Sequence, residues 1–206
     1  MSSDRKELKK GGNWNERYDG GEYSSDGPDR LLAESVATLP GGKAFDLACG
    51  SGRDAIFLAE NGFQVTAIDN SPVGLEIARK KATEKGLTVD FLCADLEKDD
   101  FLMGENAYDL ICDFYFLHRA LFPQMKVALK SGGMFVAAIH IYGAGEKERR
   151  FLLREGELKE IFRDFEILHY QETSSARAEI GRHYRRTAEI IAKKVTAAKL
   201  DQQPNK

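Results

Sequence analysis

The residues best suited to chemistry lie between Lys43 and Ser71. A short apolar run, AFDLACG, leads into a glycine turn, GSGRDA. An amphipathic stretch, IFLAENG, follows, and a second apolar run, VTAID, ends on an acid. This order predicts strand, tight turn, helix and strand, with Gly50 and Gly52 in the turn and Asp69 closing the second strand. A chain that leaves a parallel strand and enters a helix must turn sharply, and a residue without Cβ lets its backbone come close to a ligand. The helix start then points amide donors at whatever sits there. A carboxylate at the carboxyl end of strand two faces the crevice where open α/β sheets bind ligands, so Asp69 is placed to accept from two ribose hydroxyls. Gly50-Ser-Gly52-Arg-Asp-Ala55 also fits the G-x-G-x-x-G/A dinucleotide fingerprint. The stretch alone therefore calls for an adenosine-type cofactor and leaves open which one.

The elements that must position this turn can be read on either side of it. Asp26-Gly-Pro-Asp29 followed by RLLAESVATL predicts a helix from about Pro28 to Leu39, stopped by Pro40-Gly-Gly. Ser71-Pro72 opens a helix to about Lys85, which Gly86 ends. LTVDFLCA, finishing at Asp95, is strand three; a helical turn is expected near Leu96 to Met103; YDLICDFYF is strand four. His118 to Lys130 reads as a helix with Pro123 in or near its first turn, Lys130-Ser-Gly-Gly133 as a turn, and MFVAAIHIY as strand five. Strands alternating with helices specify a parallel, doubly wound α/β sheet with right-handed crossovers. The tail breaks the alternation: FLLREGELKEIFRDF is helical, and EILHYQET and HYRRTAEIIAKK form a hairpin.

The chain's 206 residues, 42% of them apolar, suffice for one core. A single domain is expected over residues 13–194, between flexible tails at 1–12 and 195–206, with residues 13–42 forming an N-terminal cap and helix. Within that cap, Trp14, Tyr18 and Tyr23 stand among charges and glycines, which suits either an edge-covering segment or a lid over a pocket. No apolar run approaches the ~18 residues of a membrane span and no apolar leader opens the chain, so a cytoplasmic protein is expected. Thirty basic against thirty-three acidic residues give no electrostatic footprint for a nucleic-acid backbone. Cys49, Cys93 and Cys112 fall in or at the ends of apolar runs without C-x-x-C spacing, the pattern of buried free thiols rather than of a metal site.

Several spaced features together resemble the class I S-adenosylmethionine-dependent methyltransferases, over about residues 13–194: DLACGSGR, VTAIDNS, CADLE, YDLIC, LKSGGMFV and the terminal hairpin. The resemblance implies a Rossmann-like sheet of seven strands with the last antiparallel, and S-adenosylmethionine as cofactor. The loop carrying Asp46, Ala48, Gly50, Gly52 and Arg53 would then wrap the methionine moiety and ribose. Asp69, with Asn70 beside it, would bind the ribose hydroxyls, and Asp95 with the Leu96 backbone would flank the adenine. One departure is visible: Ala48 replaces the first glycine of the family's D-x-G-x-G-x-G, a change small enough for the turn to survive. Charge favours the same cofactor, because Asp46 and Asp113 suit a sulfonium and an ammonium group and would repel a pyrophosphate. The bland alternative is that Asp46 satisfies turn amides and Asp113 faces water. WNERY, FLHRALFP and FLLREGELKEIF resemble more closely the small-molecule methyltransferases of the tellurite-resistance group, with thiopurine methyltransferases more distant.

That resemblance implies methyl transfer to a small-molecule acceptor such as a chalcogen oxyanion or thiol, by a monomer or homodimer. Alignment and water exclusion are its main demands. A soft acceptor needs no strong base, whereas oxygen or nitrogen would want one, and histidine is the usual choice. His118 and Arg119, after strand four, and Arg186, entering the last strand, are the catalytic candidates. His140, Arg182, His183 and Arg185 are weaker ones, equally readable as surface or structural residues. An NAD-dependent oxidoreductase and a non-catalytic cofactor binder remain as alternatives at this point.

Overall fold

The computed structural model describes residues 14–21, 27–98, 101–142, 150–173 and 186–195. Seven strands form one sheet: β1 (Lys43–Leu47), β2 (Gln64–Asp69), β3 (Val89–Cys93), β4 (Tyr108–Phe114), β5 (Leu129–His140), β6 (Glu166–Glu172) and β7 (Thr187–Lys193). Their spatial order is β3-β2-β1-β4-β5-β7-β6, the first five parallel and β7 antiparallel to both neighbours. Helices α1 (Trp14–Asp19), α2 (Arg30–Ser35), α3 (Arg53–Glu60), α4 (Pro72–Glu84), α5 (Leu121–Ala128) and α6 (Glu157–Ile161), with a 3-10 turn over Val36–Thr38, complete the described elements.

Two apolar layers result from the period-two alternation of the strands. On one face Ala44, Ala67, Leu110, Cys112 and Val136 pack under α2, α3 and α4; on the other Phe45, Leu47, Ile111, Phe135 and Ile190 pack under α5 and α6. Pairing Asp46 with Ala67 and Cys112, and Leu47 with Ile68 and Asp113, brings the ends of β1, β2 and β4 to one rim. The helices start where their sequences say. Asp29 accepts from the Leu31 amide at the head of α2, Ser71 accepts from the Gly74 amide at the head of α4, and Pro123 lies in the first turn of α5. Glu189, buried in β7, accepts two bonds of 2.9 Å from Arg30 and so ties α2 to the sheet.

Four expectations need correction. The stretch Lys130 to Gly133 is the bulged start of β5: Gly132 has φ +80°, and the Gly132 amide and Gly133 carbonyl pair with Lys194. Residues 151–165 are helical only over α6. Leu153 bonds the backbone of His140 and Tyr142, and Arg119 holds the carbonyls of Arg150 and Leu152, which keeps the segment extended until Gly156. Near Leu96 the chain makes one turn, closed by the Lys98 amide on the Asp95 carbonyl, and residues 101–103 are irregular. Cys93 is exposed because β3 is an edge strand; Cys112 is buried and Cys49 partly so. Among the described residues no helix is long and apolar enough to cross a membrane.

Candidate active site

The turn after β1 is built by left-handed backbone. Ala48 (φ +50°), Gly50 (+54°) and Gly52 (+78°) reverse the chain within five residues. The Cys49 amide bonds the Ile68 carbonyl at 2.9 Å and fastens the turn to β2. Ala48 does adopt the conformation that its glycine counterpart would take freely, at a steric cost of about 1–2 kcal/mol. Gly52 precedes α3 without a side-chain cap, so the amides of the first helical turn are left to other acceptors. Asp69 anchors this arrangement from the end of β2, its Oδ2 accepting from the Gly50 amide and its Oδ1 from the Ser71 amide, both at 2.8 Å. Each oxygen keeps a second acceptor position, which is what a pair of ribose hydroxyls requires.

Two carboxylates flank the turn in surroundings that do not suit their charge. Asp46 is 2% exposed and Asp113 0%; among the described residues Asp46 Oδ2 and both oxygens of Asp113 have no hydrogen-bond partner. Burial pushes the Asp46 carboxyl well above the usual carboxylate range; Asp54 adds to this, and Arg53 and the Ala55 amide oppose it. Burial likewise raises Asp113, between Leu47 and Ala137 in the sheet, against an opposing contribution from the Phe116 amide. Orphaned buried carboxyl oxygens at a strand rim fit a ligand that brings cationic groups better than one that brings a pyrophosphate.

The remaining predicted residues divide. Arg53 heads α3, its guanidinium on Asp54 at 2.8 Å. Asn70 is exposed beside Asp69, Asp95 is half-buried with its Oδ1 on the Glu97 amide, and the Leu96 side chain is buried in the core. His118 lies beyond β4, its carbonyl accepting from the Leu121 amide at the start of α5. Arg119 is placed otherwise than expected. Its guanidinium bonds both oxygens of Glu157, at 2.6 and 3.0 Å, and the carbonyls of Arg150 and Leu152, which makes it a brace between α5 and the segment before α6. Arg186 pairs with Glu155. Both arginines are thus neutralised by glutamates 38 and 31 residues away. Tyr23, Arg182, His183 and Arg185 lie outside the described residues.

Sequence reasoning missed Tyr115 and its partners. Tyr115 stands just past β4 with φ +67°, its hydroxyl donating to Asp29 Oδ2 at 2.7 Å, and the Asp29 amide donates to Asp54 Oδ1 at 2.6 Å. Only the cap role of Asp29 had a local signal. At the N-terminal side, Tyr18 lies over the turn: an ideal Cβ on Gly50 would come within 2.1 Å of its hydroxyl, and one on Gly74 within 3.0 Å of its ring. Asn15 accepts from the Ser71 hydroxyl at 2.6 Å, so α1 is seated across the ends of β1 and β2. Two open clefts of about 600 and 550 Å³ occur elsewhere, one beside α6 and one at the amino ends of β1 to β4. Neither adjoins the glycine turn, whose mouth Tyr18 covers, so the chemistry of the rim identifies the site better than concavity does.

Residues 44–133 match the family model described as "Methyltransferase domain". The chain is 30% identical over 140 residues to the "Probable S-adenosyl-L-methionine-dependent methyltransferase TehB" of Haemophilus influenzae, covering 63% of this chain and 48% of that protein. It is 29% identical over 154 residues to "Hemagglutinin 1" of Eikenella corrodens, covering 68% and 49%. A "Ubiquinone biosynthesis O-methyltransferase" of Pasteurella multocida is 37% identical over 76 residues, 37% of this chain and 31% of that one. The chain spans about half the length of the first of these relatives. Among solved structures, that of Haemophilus influenzae TehB superposes with a TM-score of 0.71 at 23% identity, over 87% of this chain and 67% of that one. The glycine turn, the acid-lined rim and the β7 insertion thus belong together: in its matching domain segment and in its fold this chain is similar to the class I S-adenosylmethionine-dependent methyltransferases, and it resembles the tellurite-resistance group.

Proposed function

We propose that the chain transfers a methyl group from S-adenosylmethionine to a small-molecule acceptor, a thiol or a chalcogen oxyanion, in a cytoplasmic setting. The observation that carries this reading is the set of three buried oxygens on Asp46 and Asp113 beside the glycine turn that have no hydrogen-bond partner among the described residues. When bound, the cofactor supplies a methyl group already activated by its sulfonium, open to in-line displacement. The protein's share is placement. Asp69 would hold the ribose while keeping Gly50 and Ser71 in register. Asp95 and the Leu96 backbone would flank the adenine, the turn from Ala48 to Arg53 would wrap the methionine end with Asn70 beside the ribose, and Asp46 and Asp113 would face the positive charges.

Among the described residues no ion pair is seen for His118, which would serve as base for an oxygen or nitrogen acceptor. Arg119 and Arg186 are held by glutamates, which favours an acceptor without a strong anionic group over an oxyanion. Two measurements test the reading. Titration calorimetry should show binding of S-adenosylhomocysteine and none of NADH, and the reverse would overturn it. A labelled-methyl screen over thiols, selenite and tellurite should then yield a methylated product, and a cofactor-binding chain that methylates nothing would be a binder only.

A further inference from the structure

Tyr115 combines four features that its neighbours lack. It is a bulky aromatic with φ +67°, a region that bulky side chains enter only when their surroundings force them. Its backbone is fixed by the amide bond to the Ala138 carbonyl at 2.8 Å. Its hydroxyl is fixed by Asp29 Oδ2 at 2.7 Å, and Asp29 is 7% exposed and itself anchored to α3 through Asp54. Yet the residue is 47% exposed, at the carboxyl end of β4, and its ring lies 5.1 Å from that of His140 at the end of β5. Core packing does not by itself account for a strained aromatic that is held at both ends and still shows about half of its surface to solvent. Such strain persists where it presents a group in a required orientation.

We propose that Tyr115 is an acceptor-positioning residue, its ring, tilted 34° to that of His140, offering the aromatic face against which an acceptor bearing a planar π-system lies. The inference rests on the methyltransferase reading above and adds a substrate class to it. The Tyr115 ring offers an offset-stacking surface, which discriminates by shape and π-face rather than by charge. The pairing of Arg119 and Arg186 with Glu157 and Glu155 leaves charge a minor part of that recognition. The phenol bond to Asp29 also connects this face to the head of α3, since Asp54 holds both the Asp29 amide and the Arg53 guanidinium. The acceptor face and the cofactor turn are thereby kept in one register.

The test compares variant with wild type on each of two thiols, aromatic 4-nitrothiophenol and aliphatic 2-mercaptoethanol, so that their different acidities cancel within each comparison. Asparagine tolerates left-handed backbone, so Tyr115→Asn removes the ring while relieving the strain. It should raise KM for 4-nitrothiophenol by about five- to tenfold and that for 2-mercaptoethanol by clearly less. Tyr115→Phe should keep the aromatic preference. Calorimetry of 4-nitrophenol, which has no thiol, into the S-adenosylhomocysteine-saturated chain gives the same comparison without turnover. Equal binding by wild type and Tyr115→Asn, or parallel loss for both thiols with a lowered Tm, would overturn the proposal and mark a structural role. Failure of the wild type to bind S-adenosylhomocysteine would instead overturn the underlying reading, and this proposal with it.

Discussion

Replacing Asp113 by leucine should make the protein more stable and worse at holding its cofactor. Asp113 is fully buried, with both oxygens unpartnered among the described residues and Leu47 and Ala137 as its sheet neighbours. A buried polar group left unsatisfied costs about 1–3 kcal/mol, and a leucine of similar size removes that cost, less up to about 1 kcal/mol for imperfect fit. The net gain of about 1–2 kcal/mol corresponds to a Tm rise of roughly 2–8 °C for a domain of this size. The sign depends on pH. Burial raises the folded-state carboxyl well above its unfolded value, so the folded state binds the proton more tightly. Its stabilising contribution is complete below an unfolded value of about 3.9 and is lost as pH climbs toward the folded value. The advantage of Asp113→Leu over wild type should therefore widen from about pH 4 upward. Thermal melts across pH, with and without ligand, measure this. S-adenosylmethionine should bind the variant at least tenfold more weakly, and S-adenosylhomocysteine, which lacks the sulfonium charge, should lose less. A variant that is less stable at pH 7 and binds S-adenosylmethionine as wild type does would refute the counter-charge argument.

Three further outcomes are expected. Asp69→Ala removes the acceptor for the Gly50 and Ser71 amides, and calorimetry should show S-adenosylhomocysteine affinity falling more than about tenfold, by at least one lost charged hydrogen bond; unchanged affinity would remove Asp69 from the ribose site. Arg119→Lys breaks the bidentate bond to Glu157, and because the arginine side chain is 37% exposed the loss should be only about 1 kcal/mol in denaturant melts after solvent screening. The Glu157 carboxyl is held below its ordinary value by the Arg119 hydrogen bond and the Arg154 amide, against burial, so this contribution is present above the unfolded value and fades as pH falls through the folded one; a loss of kcat at unchanged stability would return Arg119 to catalysis. Gly50→Ala sets a Cβ 2.1 Å from the Tyr18 hydroxyl at φ +54°, and should unseat α1, seen as faster proteolysis after Arg17.

The sequence reading recovered the sheet class, the glycine turn and the acid closing β2 because each is a local signal: two glycines, an apolar run of strand length and a terminal carboxylate. Its errors have non-local causes. The helical period of residues 151–165 was overridden once Arg119, more than thirty residues earlier, captured two of the carbonyls a helix would need. Lys130 to Gly133 reads as a turn until Lys194 arrives to pair with it. Glu157 and Glu155 convert two apparent substrate-binding arginines into ion pairs, and no local pattern announces such partners. The positive φ of Tyr115 is set by the Ala138 and Asp29 bonds on either side of it, so it is invisible in the string DFYFL.

The insertion of β7 between β5 and β6 has a consequence for assembly during synthesis. Until residues 187–193 leave the ribosome, the long apolar β5 has a bare flank from Met134 to His140 and β6 has no sheet to join. Closing that flank requires β7 to slot against a strand some fifty residues upstream, a distant pairing that is slow to form. The nascent protein would therefore carry a sticky ledge from the emergence of β5 until that of β7, and chaperone capture of truncated chains ending between His140 and Thr187 should exceed that of chains ending after Lys193.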